Sequence, residues 1–382
     1  MSNYRMGIVS SLDAIGEAAW NDLVARQTDA NPFLSYAFLS ALHDTGCASA
    51  DTGWRPQYLC LWQGKALHAA LPLYAKSHSY GEYVFDWAWA DAYSRHGLPY
   101  YPKLLAAIPF TPVSGNRLLA RDDAARQALV AALGELQKNA GLSSTHVLFP
   151  TETEAQLLQQ AGFMLRSGVQ FHWENRGYAD FSDFLSTLER KKSKNIRAER
   201  RKVAEAGVTF RQVEGTEATA ADWGFFYRCY ANTYAEHHST PYLNPAFFER
   251  IGKTMPQHIL LVLAERDGAP IAASLVVHDR HALYGRYWGA LEQVPCLHFE
   301  TAYYQPLEFC IRRGIPAFEG GAQGEHKLAR GFLPRQTWSA HWIAEPAFAD
   351  AIRHFLRRES SGMGAYIDEL NEHAPFKMLT AV

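Results

Sequence analysis

One succession of elements is written twice along this chain. Apolar residues at helical spacing over 14–25 and 36–44, with Asn31-Pro32 between them as a breaker, follow a short opening strand. Alternating segments at 57–62 and 66–74 then flank the turn Gln63-Gly64-Lys65, and Tyr83-Val84-Phe85 and 104–108 read as further strands separated by an aromatic-rich loop. An alanine- and leucine-rich helix over 122–140, a strand at 146–149 and a short helix over 154–161 complete the set. The second half repeats it. Helices over 223–235 and 245–253 precede a hairpin, 259–265 with 270–278, turning at Asp267-Gly268. A third strand at 282–288, a helix over 299–313 closed by Gly314 and a strand opening at Ala317-Phe318-Glu319 follow. A chain of 382 residues is too long for one core, because cores stop growing at about 250–300 residues. The repeat therefore divides it into domains 1–178 and 179–382, the second preceded by a basic helix over 183–206. The expected class is α/β (α+β), each domain a mixed, mostly antiparallel sheet flanked by helices.

Several function classes are excluded early. The formal net charge of −2 gives the molecule no general attraction for polyanions, so any phosphate contact must come from a local cluster. Five cysteines without a C-x-x-C pair argue against a disulfide framework or a zinc knuckle. The first residues lack the apolar core of a secretion signal, and the longest apolar run, 259–264, is far below the ~20 residues that span a bilayer. A cytoplasmic protein without a transmembrane segment is expected. No serine-nucleophile elbow, P-loop, dinucleotide fingerprint or H-E-x-x-H occurs. His237-His238 point apart on a helix, and His298-Phe299-Glu300 lacks the later Pro-Cys-x-x-Cys of zinc deaminases, so no metal is expected.

The succession of hairpin, strand, helix and strand is the one that GNAT-type acyltransferases use, in which two strands splay and hold the acyl donor between them. The stretches His96 to Lys103, Ile108 to Leu119, Lys194 to Lys202 and Phe318 to Lys327 resemble the FemAB-like family of predicted N-acyltransferases, also described as peptidoglycan biosynthesis/recognition proteins. The resemblance covers nearly the whole chain. It implies two tandem GNAT-like domains, related to enzymes that transfer amino acids from aminoacyl-tRNA. It supplies no settled catalytic motif, so the candidate residues follow from their own chemistry.

Acylating an amine requires a neutral nitrogen, a route for its departing proton and donors for an oxyanion. Glu319, at a strand end before Gly320-Gly321, is the first candidate base; the alternative is an edge carboxylate capping a turn. Gln323, Glu325, His326, Lys327 and Arg330 crowd one glycine-bounded loop. There Glu325 and His326 would relay a proton, while Gln323, Lys327 and Arg330 would hold substrate; the alternative is a solvated loop. His298 and Glu300 stand near the start of the helix expected beside the donor phosphates, where Glu300 alternatively complements the helix dipole.

In the first half, Asp86, Trp89, His96, Tyr100, Tyr101 and Lys103 alternate rings with charges, as a substrate pocket or as plain core. Arg117 precedes the alanine-rich helix at the place for a phosphate-cradling turn, without the fuller glycine pattern of an acetyl-CoA loop. The run 190–202 sets eight cations against the single acid Glu199, and Arg197, Arg200 and Arg201 are its candidate contacts to the phosphates of tRNA, a nucleotide or lipid. The expected activity is N-acyl transfer to an amine-bearing small molecule or cell-wall precursor. Acyl-CoA or aminoacyl-tRNA would be the co-substrate, with no tightly bound cofactor. The alternative is a non-catalytic module of the same fold that recognises a cell-wall precursor or nucleic acid.

Overall fold

Helices begin where a side chain can accept the bonds that a first turn leaves free. Ser35 accepts from the Phe38 N–H at the start of Tyr36–Asp44, and Asp122 accepts from Ala125 at the start of Asp123–Asn139. Thr219 and Asp222 cap reciprocally before Ala220–Glu236, and Asn244 followed by Pro245 opens Pro245–Thr254. The computed structural model describes residues 4–321 and 324–377, without the side chain of Glu325. Its elements follow the repeated order read from the sequence.

The chain divides into two units, 1–168 with 336–365, and 169–335 with 366–382. The expected cut at 178/179 thus falls inside the second unit. The chain passes between units within the strands Met164–Glu174 and Leu333–Ile343 and within the helix Pro346–Glu372.

In the first unit, Arg5–Val9, Tyr58–Gln63, Ala66–Leu71 and Leu119–Ala120 form one antiparallel sheet. Pro72 interrupts the ladder, and the chain resumes as Leu73–Lys76, which pairs with Trp54–Pro56 and Lys103–Ala106. Lys103–Ala106 and Ser144–Leu148 run parallel, joined through the helix Asp123–Asn139. Leu129 and Leu133 from that helix pack on Leu59, Leu71 and Val147 in the core.

The second unit orders its strands Val208–Glu214, Ile259–Arg266, Ala269–His278, Ala282–Ala290, Ala317–Glu319, then the 169–174 portion of Met164–Glu174. Every neighbouring pair is antiparallel except Ala282–Ala290 with Ala317–Glu319. That parallel pair needs a crossover, which runs from Leu297 to Arg313. Pro306 has no N–H and its ring would strike the carbonyl of residue 302, and the turn before it, Glu300–Tyr304, widens into a π-helix. Leu307 and Phe309 of the crossover cover Val276, Leu283 and Phe318 of the sheet. Both units are therefore GNAT-like: a mostly antiparallel sheet with one parallel pair spanned by a helix.

Three local expectations change. Tyr83 to Phe85 do not form a strand, because Tyr83 takes a left-handed φ of 62°. The aromatic segment after it folds as the helix Trp87–Arg95 rather than a loop. The basic helix is two helices, Phe181–Thr187 and Arg190–Glu205, because Leu188 is extended and bridges to Phe376.

Candidate active site

Strand Ala317–Glu319 is short, and its ladder with Ala282–Ala290 stops at Tyr284 opposite Glu319. Beyond that register the two chains part. Gly320 donates instead to the Phe171 carbonyl at 3.0 Å, and Gly321 turns away with φ +83°. On the other side, Leu275 faces Tyr287 and Val276 faces Gly285, so the strand bulges at Arg286. Bulges beside a site re-aim backbone groups. This one sits where the edge of Gly285 to Ala290 has no ladder partner among the described residues. A cavity of about 100 Å³ opens at this fork, lined by Gly285, Arg286, Trp288, His298, Tyr303 and Gly320. A β-carbon at Gly285 would approach Phe318 to 3.2 Å, so glycine keeps the fork open.

Phe318 lines the cavity, and alternation along the strand sends the next side chain, Glu319, to the opposite face. Glu319 is 15 % exposed. Burial pushes its carboxyl up to about 8, with Asp279 adding to the shift and Arg286 opposing it. A carboxylate in that range can take a proton near neutral pH. Its cross-strand neighbour is His172, with Nε2 3.9 Å from Glu319 Oε2. Burial, then Arg335 and Lys327, pull the imidazole down to about 3, so the ring is neutral.

The glycine-bounded segment after Glu319 is the 3-10 helix Glu325–Arg330 rather than a solvated loop. Lys327 is buried, reaches the Gly321 carbonyl at 3.0 Å and is pulled down to about 8 by burial. His326 is exposed, with Nε2 3.5 Å from the Tyr303 hydroxyl and its ring against Phe299. His298 stacks on Trp288 at 4.9 Å and is held neutral by burial, its basicity falling to about 4. Glu319, His298, His326 and Lys327 thus gather around the fork. Gln323 and the side chain of Glu325 lie outside the described residues.

Other expectations are corrected. Arg330 is committed to Glu199, at 2.8 and 2.9 Å, to the His326 carbonyl at 2.7 Å and to the face of Phe299 at 3.4 Å, so it secures the turn. Arg200 and Glu300 pair with each other rather than offering themselves to a donor. Arg197 and Arg201 stand exposed on the helix Arg190–Glu205.

In the first unit, Arg117 is fully buried and donates to the Val113, Gly115 and Asn116 carbonyls, which leaves it no surface for a phosphate. Lys103, also fully buried, donates to Glu82 at 2.8 Å, Ser79 at 2.8 Å and Asp86 at 2.5 Å. Tyr100 donates to Asp86 at 2.6 Å, Tyr101 meets Ser79, and Trp89 packs on His341. These residues form a buried, hydrogen-bonded interior network rather than the lining of an open pocket. His96 is exposed at the end of Trp87–Arg95, with Nδ1 on the Ala92 carbonyl. Among the described residues no group of acids, histidines and cysteines could hold a metal.

Sequence reasoning missed His172, Arg286, Trp288 and Tyr303. His172 carried a signal: it alternates with Phe171 and Trp173, both buried, in the strand Met164–Glu174. Arg286 carried none, because a bulge is set by the pairing of two strands.

Residues 11–378 match the family described as peptidoglycan biosynthesis/recognition. Among solved structures, FemX is 10% identical with a TM-score of 0.56, over 91% of this chain and 100% of that one. L-PGS from Bacillus licheniformis is also 10% identical, with a TM-score of 0.53 over 89% of this chain and 96% of that one. Likenesses at such identities concern the fold. No curated protein matches the chain in sequence. No helix among the described residues is long and apolar enough to cross a membrane.

Proposed function

The chain belongs to the FemAB-like family, and we propose that it is an N-acyltransferase that moves an acyl or aminoacyl group from a CoA or tRNA carrier to an amine. The observation that carries this reading is the fork of the second unit. Two strands part at Tyr284 and Glu319, a bulge at Arg286 exposes main chain beside a narrow cavity, and a buried carboxyl stands on the other face. An acyl group threaded into the fork would offer its carbonyl to main-chain donors from one strand. The amine would approach from the side of Glu319, whose carboxylate takes the ammonium proton released when the new C–N bond forms. Lys327, near Gly321 and partly neutral at physiological pH, supplies a positive group next to the leaving carrier. The acceptor is an amine-bearing small molecule or cell-wall precursor, and both carriers suit a cytoplasmic protein.

The test is an extract or defined amine panel incubated with acyl-CoA or aminoacyl-tRNA and read by mass spectrometry for an acylated amine. Glu319→Gln should lower turnover by about 10²–10⁴-fold, the usual worth of a positioned base. Turnover equal to that of the unmodified chain removes Glu319 from the mechanism. Saturable binding without any product in the unmodified chain favours a recognition module instead.

A further inference from the structure

Glu319 Oε2 and His172 Nε2 are each buried, and among the described residues neither has a hydrogen-bond partner, yet they face each other 3.9 Å apart as a cross-strand pair. At that separation they are not bonded. An orphaned buried polar atom is costly, and two facing each other call for a partner. Among the described residues, the carboxyl facing it across the ladder is the group placed to satisfy the imidazole nitrogen. It can do so as the acid, donating its O–H to a bare Nε2, the arrangement that the raised carboxyl favours over donation from an Nε2–H to the carboxylate. A small rotation of either side chain closes the remaining distance. The rest of each side chain is partly open, Glu319 at 15 % and His172 at 17 %.

We infer that His172 holds Glu319 as the neutral acid, its carboxyl proton shared with Nε2, so that the pair is a lock that must open before the carboxylate can serve as a base. His172 is a positioning residue for the reaction proposed above, and the inference rests on that reading of Glu319. It does not relay the proton outward. Forming an imidazolium would cost several kcal/mol, because the carboxyl is pushed up to about 8 and the imidazole down to about 3, each pH unit being worth about 1.4 kcal/mol. Opening means loss of the carboxyl proton to solvent, leaving the carboxylate and an unchanged neutral imidazole. Among the described residues, the charged groups around the pair are Arg286 and Asp279 facing Glu319, and Arg335 and Lys327 facing His172. Arg335 is itself paired with Glu174, so its influence is reduced.

Infrared titration of the full chain tests this without any substrate. The protonated-carboxyl band that disappears in Glu319→Gln should titrate near pH 8 in the unmodified protein. In His172→Gln, whose amide N–H favours the charged carboxylate, it should titrate at least one pH unit lower, a tenfold weaker hold on the proton. A high midpoint that His172→Gln does not move overturns the lock and leaves Glu319 as the base. A midpoint near 4 in the unmodified protein removes both. Should His172→Gln fail to fold, ¹⁵N spectra of histidine-labelled unmodified protein decide the matter. A bare Nε2 accepting a hydrogen bond supports the lock, and a protonated Nε2 overturns it.

Discussion

Arg200 closes on Glu300 with Nη2 2.9 Å from Oε1, and its other terminal nitrogen reaches Glu308 at 2.6 Å. Glu300 also accepts from Gln305 at 2.8 Å and is buried, so one arginine serves two acids at the π-turn before Pro306. Removing the cation strands a buried carboxylate, which is the costly half of breaking an interior pair. Arg200→Met should lower unfolding free energy by about 3 kcal/mol at pH 8. The loss should shrink in acid, because Glu300, whose affinity for a proton burial already raises, can then neutralise itself. Urea melts at pH 8 and pH 5 check this, and equal losses at both would show that Glu300 is already neutral in the native protein.

Glu319 has the opposite effect on stability. Its folded-state carboxyl is raised above the ordinary value, so between about pH 4.5 and 8 the folded chain holds a proton that the unfolded chain has released. Folding therefore weakens as pH rises through that window, by a total of roughly 4 kcal/mol. Glu319→Gln removes the cost. It should raise Tm clearly at pH 8 and little at pH 5 while lowering turnover, the trade expected where a buried group is kept for chemistry. A lower Tm at pH 8 would contradict the assignment.

Lys103, Glu82, Asp86 and Ser79 make the corresponding interior cluster of the first unit, and its role is structural. Both carboxylates lie within bonding distance of one fully buried ammonium. Lys103→Met leaves them facing each other, at a cost of about 3–5 kcal/mol. Chemical denaturation should show this loss at neutral pH. Any activity retained by the folded fraction should have an unchanged KM, because the residue touches no substrate.

The repeated order of elements was legible because hydrophobic periodicity and caps are local. Asp122, Thr219 and Asn244 announce helices within three residues of their start. Glu319 was legible for the same reason, being an acid at the end of an apolar strand before two glycines. Its partner was not, because His172 lies 147 positions earlier in the chain and meets it only through antiparallel pairing. The Asp86 to Lys103 segment stayed open between a pocket and plain core because ring-and-charge alternation has the same appearance whether the charges face a ligand or each other. Arg117 was misread: a buried arginine that serves backbone carbonyls resembles, in sequence, one that waits for a phosphate.

The basic helix separates the two candidate donors. Arg190, Lys194, Arg197 and Arg201 are all exposed, and their spacing of four, three and four residues puts them on one face of Arg190–Glu205. The stripe rises about 16 Å at 1.5 Å per residue. Among the described residues Arg197 bonds Ser193 alone, and Arg201 meets Glu205 at 3.9 Å with both side chains in solvent, so these charges remain available to a polyanion. Arg200 points inward to its acids and does not belong to the stripe. Changing the four stripe residues to glutamate should weaken tRNA binding, and each lost phosphate contact should flatten the salt dependence of log K by about 0.9. Anisotropy titrations across a salt series measure that slope. If aminoacyl-tRNA is the donor, transfer from it should fall in step with binding, while transfer from acyl-CoA by the same variant stays level. An unchanged slope would make the stripe an ordinary solvated helix face and leave CoA as the carrier, because the fork in the second unit does not depend on these residues.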